Sequence, residues 1–122
     1  MNAKEELMIV ANAIKSNNRE VLRSDTLKTA HHIIKLKKRL RENHYVEFRF
    51  FKKNGELRTA KGTLHPVVVN EYVKGTWTGR TRPDIIKYFD LERNQFRSFA
   101  AIRYVEIVDI DHEVIEPYKL KA

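Results

Sequence analysis

Apolar positions follow a helical period through the first forty or so residues and a strand period from residue 45 onward, which divides the chain into two parts. In residues 3–16, Ala3, Leu7, Val10, Ala11 and Ile14 gather on one face, predicting an amphipathic helix. Ser16, Asn17 and Asn18 interrupt it, because their side chains compete for backbone hydrogen bonds. Ser24 or Asp25 then offers an N-cap for a second helix over about 25–42. On that helix Leu27, Ala30, Ile33, Ile34, Leu36 and Leu40 fall on one half, and Lys28, His32, Lys35 and Arg39 on the other.

Beyond residue 45, Val46, Phe48 and Phe50 alternate with Glu47 and Arg49, as in a half-buried strand. Asn54-Gly55 predicts a two-residue type I′ hairpin turn leading into a strand over Glu56 to Leu64. Gly62 within that strand predicts a bulge or a sharp bend, and Pro66 ends the ladder. A long polar connection over 70–83 carries the breakers Gly75, Gly79 and Pro83. Ile85 to Leu91, Phe96 to Ile102 and Tyr104 to Ile110 supply three more strands, the first two joined around Arg93-Asn94. Phe48, Phe50, Phe89, Phe96 and Phe99 are expected in the core. Phe51 follows Phe50 directly, so it must turn outward, exposed or covered by a helix.

The fold class expected is therefore α+β. A pair of helices in residues 1–43 precedes a small five-stranded antiparallel barrel, SH3-like or OB-like, over 44–112, with a tail at 113–122. At 122 residues the chain has the size of one domain and needs neither disulfide nor metal to fold. It has no cysteine, no apolar run long enough to cross a bilayer and no secretory pattern at its start, so a soluble, cytoplasmic protein without a membrane partner is expected.

Charge changes the picture more. The formal net charge of +8 divides into +5 over residues 1–44, +6 over 45–103 and −3 over 104–122. A basic body favours a polyanionic partner, because clustered Lys and Arg release counterions from phosphates on contact.

The run Val46-Glu47-Phe48-Arg49-Phe50-Phe51-Lys52-Lys53-Asn54-Gly55-Glu56-Leu57-Arg58-Thr59-Ala60-Lys61-Gly62-Thr63-Leu64, with Tyr88-Phe89-Asp90-Leu91 and Phe96-Arg97-Ser98-Phe99 after it, resembles the small Sm-like SH3 β-barrel family related to WYL domains. The resemblance covers roughly residues 45–110 and leaves the helices outside. It implies an Sm-like, that is SH3-like, barrel without known catalytic activity, acting near nucleic acid or sensing a ligand. WYL domains in larger regulators use strand-borne basic and aromatic residues for ligands, and Arg97 occupies a matching strand position.

Three groups of residues are candidates for contact with nucleic acid. The helical stripe Lys28, His32, Lys35 and Arg39, continued by Lys37, Lys38 and Arg41, has the spacing to track a phosphate backbone; it equally suits a solvated face. The loop from Tyr72 to Arg82 interleaves Trp77 with Lys74, Arg80 and Arg82, which suits base stacking beside phosphate neutralisation, or a lid over the core. Arg49, Arg58, Lys61 and Arg97 lie on the predicted strands.

Catalytic patterns are weak. Asp109, Asp111 and Glu113 share a face only if the last strand continues, and no phosphate-gripping loop accompanies them. His31 and His32 are adjacent and diverge by about 100° on a helix, which does not make a metal site. The function expected is a non-catalytic binding module, without cofactor or metal, for DNA or RNA. The alternative is a regulatory or scaffold module that takes a small anion, or a protein partner through its helices.

Overall fold

The computed structural model describes residues 2–17, 23–72 and 82–110. Helix α1 (Ala3–Asn17) begins where the Asn2 side chain accepts the Glu5 backbone N–H at 2.8 Å, satisfying one of the donors that a helix start leaves unpaired. Helix α2 (Arg23–Glu42) packs against it. Val10, Ala11 and Ile14 of α1 and Ala30, Ile33, Leu36 and Leu40 of α2 are buried in one cluster with the inward residues of the strands. The apolar half of α2 thus lies where its spacing puts it.

Strands β1 (Val46–Phe51) and β2 (Leu57–Thr63) form a hairpin, and β3 (Ile85–Asp90) and β4 (Gln95–Ala100) form another. A single 3₁₀ turn, Ala101–Arg103, carries the chain into β5 (Tyr104–Ile110), which returns to pair with β1. The sheet is antiparallel throughout, in the order β4-β3-β2-β1-β5. This is the α+β, SH3-like architecture expected. Val46, Phe48 and Phe50 point inward from β1, and the Phe50 and Phe99 rings stack at 4.2 Å, only 3° from parallel.

Three local expectations need correction. The hairpin turn is not type I′, since Gly55 has positive φ (+88°) and Asn54 does not. The Gly55 N–H donates to the Lys52 carbonyl at 2.9 Å and the Lys52 N–H to the Glu56 carbonyl at 2.8 Å. That is a three-residue loop closed by a left-handed glycine, the next commonest hairpin connection. Second, Gly62 is not a bulge, because it pairs in register with Val46. A Cβ there would come within 2.5 Å of Tyr88 Cδ2 and 3.3 Å of Phe48 Cε1, so the glycine makes room for a ring. The register shifts lie instead between β1 and β5.

The third correction is an unexpected short helix, α3 (Pro66–Tyr72), where the sequence pattern suggested only the approach to a loop. Pro66 suits the first helical position, which needs no N–H, and His65 Nδ1 accepts the Val67 N–H at 3.2 Å. Phe51 does turn outward, 46 % exposed, and is uncovered.

Helix α2 is fastened to the barrel at both ends of its second half. The Leu64 N–H donates to the Leu40 carbonyl at 2.8 Å, and Thr63 Oγ1 donates to the Asn43 carbonyl at 3.2 Å. Lys37 Nζ donates to the Pro83 carbonyl at 3.1 Å, at the approach to β3.

Candidate functional site

Between the tip of the β1–β2 hairpin and β4 lies a cleft of about 430 Å³. It follows from the sheet's geometry. Strands β2 and β3 pair only at Gly62↔Asp90 and Thr63↔Phe89, so the first half of β2 runs on past the end of β3. Arg58, from that half, reaches across to Asp90, while Phe50, Tyr88 and Phe99 provide aromatic walls. Arg97 stands beside Tyr88 as its direct cross-strand partner. Lys52 and Lys53 come from the hairpin tip, and Arg103 from the 3₁₀ turn.

Five cations therefore meet at one opening, but they are not equivalent. Arg58 is held by the fully buried Asp90 carboxylate at 2.5 Å, and Lys52 has an exposed partner in Glu56 at 3.6 Å. Among the described residues, Lys53, Arg97 and Arg103 have no carboxylate partner within ion-pair distance. They can neutralise an incoming anion without first breaking a bond. Burial pushes the Tyr88 phenol above its ordinary value, an effect that the nearby Arg58 and Arg97 oppose.

A family model described as WYL_2, Sm-like SH3 beta-barrel fold, matches residues 33–105, more than half of the chain. The chain belongs to the WYL_2 family. The match starts inside α2 at Ile33, whereas the sequence resemblance began at the strands; the buried Ile33, Leu36 and Leu40 account for the difference, being part of the barrel's own core. No curated protein and no solved structure matches the chain.

Of the nine sequence candidates among the described residues, the WYL_2 barrel gathers two, Arg58 and Arg97, into the cleft. Lys28, His32 and Lys35 are exposed on α2, with Arg39 half-buried; His32 and Lys35 border a shallower groove of about 220 Å³ against Tyr104 to Ile107. Lys37 does not belong to that solvated stripe. It is half-buried, and burial lowers its pKa, assisted by Arg41.

Arg49 lies on the outer face of β1, engaged by Glu106 at 3.5 Å and by Thr59 Oγ1 at 3.3 Å. Lys61 rests its ammonium 4.1 Å from the centroid of the Tyr45 ring. Arg82 makes two hydrogen bonds to Asp84, at 3.0 and 2.7 Å, and holds that carboxyl below the usual carboxylate range. These three are occupied by the fold. Lys74, Trp77 and Arg80 lie outside the described residues.

Sequence reasoning passed over Lys52, Lys53, Arg103 and Tyr88. A signal existed for the lysines, since two cations directly before an Asn-Gly turn must sit at a hairpin tip. For Arg103 there was none, because its place depends on how β5 returns. Among the described residues there is no group of acidic or histidine side chains that could hold a metal. Of the acidic trio, Asp109 is exposed on β5, and Asp111 and Glu113 lie outside the described residues. No described helix is long and apolar enough to cross a membrane.

Proposed function

We propose that this WYL_2 protein is a non-catalytic binding module for nucleic acid, and that it grips the strand at the open end of its barrel. One observation carries the reading: three cations without carboxylate partners among the described residues, Lys53, Arg97 and Arg103, converge on an aromatic-walled cleft. Cations beside aromatic rings suit a strand whose bases can leave the stack. The α2 stripe adds a second, solvated band of charge.

The cleft's volume also suits a small anionic ligand, which supports the regulatory reading as the alternative. A charge-balanced pair of variants separates a localised contact from bulk attraction. The cleft variant combines Lys53→Glu, Arg97→Glu and Arg103→Glu; the control combines Lys4→Glu, Lys119→Glu and Lys121→Glu, with the same change in formal charge. Anisotropy of a labelled single strand is measured against salt concentration. The cleft variant is expected to lose binding and to flatten the logarithmic salt slope by about 0.7 for each phosphate contact removed. Equal losses in both variants would reduce the attraction to net charge and overturn the reading.

A further inference from the structure

The Tyr88 hydroxyl is fully buried and has no hydrogen-bond partner among the described residues. The phenol can both donate and accept, and its O–H needs an acceptor. Arg58, Arg97 and Arg93, whose charge it feels, can only donate, so none of them supplies that acceptor. Asp90, the fourth, is already committed: Oδ2 to Arg58, and Oδ1 to the backbone N–H groups of Glu92 and Arg93 at 2.9 and 3.1 Å. A phenol among donors lacks an acceptor. The group that completes this site must bring an acceptor atom, and the surrounding guanidinium groups favour one that carries negative charge, as a phosphate oxygen does.

Two further features set the ligand's size and second half. The cleft encloses about 430 Å³, enough for one nucleotide and too little for a base-paired helix. Phe51, on the outward face of β1, also lines the cleft and is 46 % exposed.

Resting on the nucleic-acid reading above, we infer that the unit recognised is a single unstacked nucleotide, with a phosphate oxygen accepting from Tyr88 between Arg58 and Arg97, and the base lying on Phe51. The hydroxyl is covered, so a side chain must shift to admit the phosphate. Arg97 is the one that moves, since it flanks Tyr88 and no carboxylate among the described residues holds it. The shared chemistry is a phosphorylated nucleoside, whether a free mononucleotide or one unit of a strand.

The test uses the full chain and a fluorescein-labelled single strand of about twelve nucleotides. Competitors are adenosine 5′-monophosphate, adenosine and the base-paired form of the same strand. The monophosphate is expected to displace the strand where adenosine at equal concentration does not, and the duplex to compete at least about tenfold less well than the unlabelled strand. Tyr88→Phe should weaken both strand and monophosphate binding about tenfold, the cost of one hydrogen bond to a charged group, with an unchanged or raised melting midpoint. Phe51→Ala should weaken strand binding about tenfold while leaving the salt slope in place.

Whichever of strand and monophosphate binds more tightly identifies the source of the nucleotide. Competition by adenosine equal to that of its monophosphate, or a Tyr88→Phe protein that binds as before, would overturn the inference. If in that case the cleft variant with Lys53→Glu, Arg97→Glu and Arg103→Glu still loses strand binding, the nucleic-acid reading stands without it; if that variant also binds normally, both fall.

Discussion

Arg58 of β2 and Asp90 of β3 form an ion pair at 2.5 Å in which the carboxylate is fully buried and the guanidinium side chain only 14 % exposed. The same carboxylate accepts the backbone N–H groups of Glu92 and Arg93, so it closes the β3–β4 turn while it positions a cation at the cleft. Removing one partner of a buried pair strands the other. Asp90→Ala is therefore expected to cost about 3–5 kcal/mol in urea unfolding. Glu42→Gln, at the solvent-exposed pair with Lys38, should cost at most about 0.5 kcal/mol. Equal effects would show that Asp90 is not a structural anchor.

Gly62 and Gly55 are needed for different reasons, and alanine at each tells them apart. At Gly62 the new methyl collides with the Tyr88 ring at 2.5 Å, so Gly62→Ala should destabilise by about 1–3 kcal/mol through overpacking. At Gly55 there is open space, and only the left-handed backbone resists, at about 1–2 kcal/mol. Adding Tyr88→Leu should recover part of the loss at Gly62 and none of the loss at Gly55. A loss at Gly62 that is insensitive to Tyr88 would show that the ring is not the obstacle.

Helix α2 shares its buried face with the barrel, so the helical and strand parts should unfold as one unit. Leu36→Ala is expected to cost about 2–5 kcal/mol, and far-ultraviolet ellipticity and aromatic fluorescence should report the same urea midpoint. Two separate midpoints would mean that the helices are an independent appendage.

At high pH, Tyr104 is the residue to watch. Burial first, and the Glu106 carboxylate second, push its phenol from 10.0 up to about 12. Between those values the unfolded chain has released a proton that the native protein still holds. The stability this group contributes is complete below pH 10 and is lost as pH rises towards 12. Tyr88 acts in the same direction. Tyr104→Phe should leave the urea midpoint at neutral pH nearly unchanged and make its alkaline decline shallower. A decline of the same steepness would assign it to other groups.

Periodicity made the framework legible: both helices, all five strands and the inward set Val46, Phe48 and Phe50 follow from the spacing of apolar residues. The cleft was less visible. Arg49, Arg58 and Lys61 look alike in sequence, yet Glu106, Asp90 and Tyr45 occupy them differently, and those partners are set by register across strands. Arg97 was legible through the family resemblance, whereas Lys53, Arg97 and Arg103 become one group only after a hairpin, a strand and a 3₁₀ turn have met. Turn type was misread because Asn-Gly fits two hairpin geometries, and one added residue decides between them.

The pairing of β1 with β5 sets an order of events as well as a shape. Phe50 lies opposite Tyr104, so this ladder joins positions more than fifty residues apart, while the β1–β2 and β3–β4 hairpins form from near neighbours. Distant pairings close slowly, because the entropy of the intervening chain is lost before the contacts form. Arg103 immediately precedes the strand that closes the ladder, and it reaches the cleft only when that strand docks. On the proposed function, recognition is thereby reserved for the finished fold: a chain still folding can assemble its hairpins, but the cleft is not yet complete.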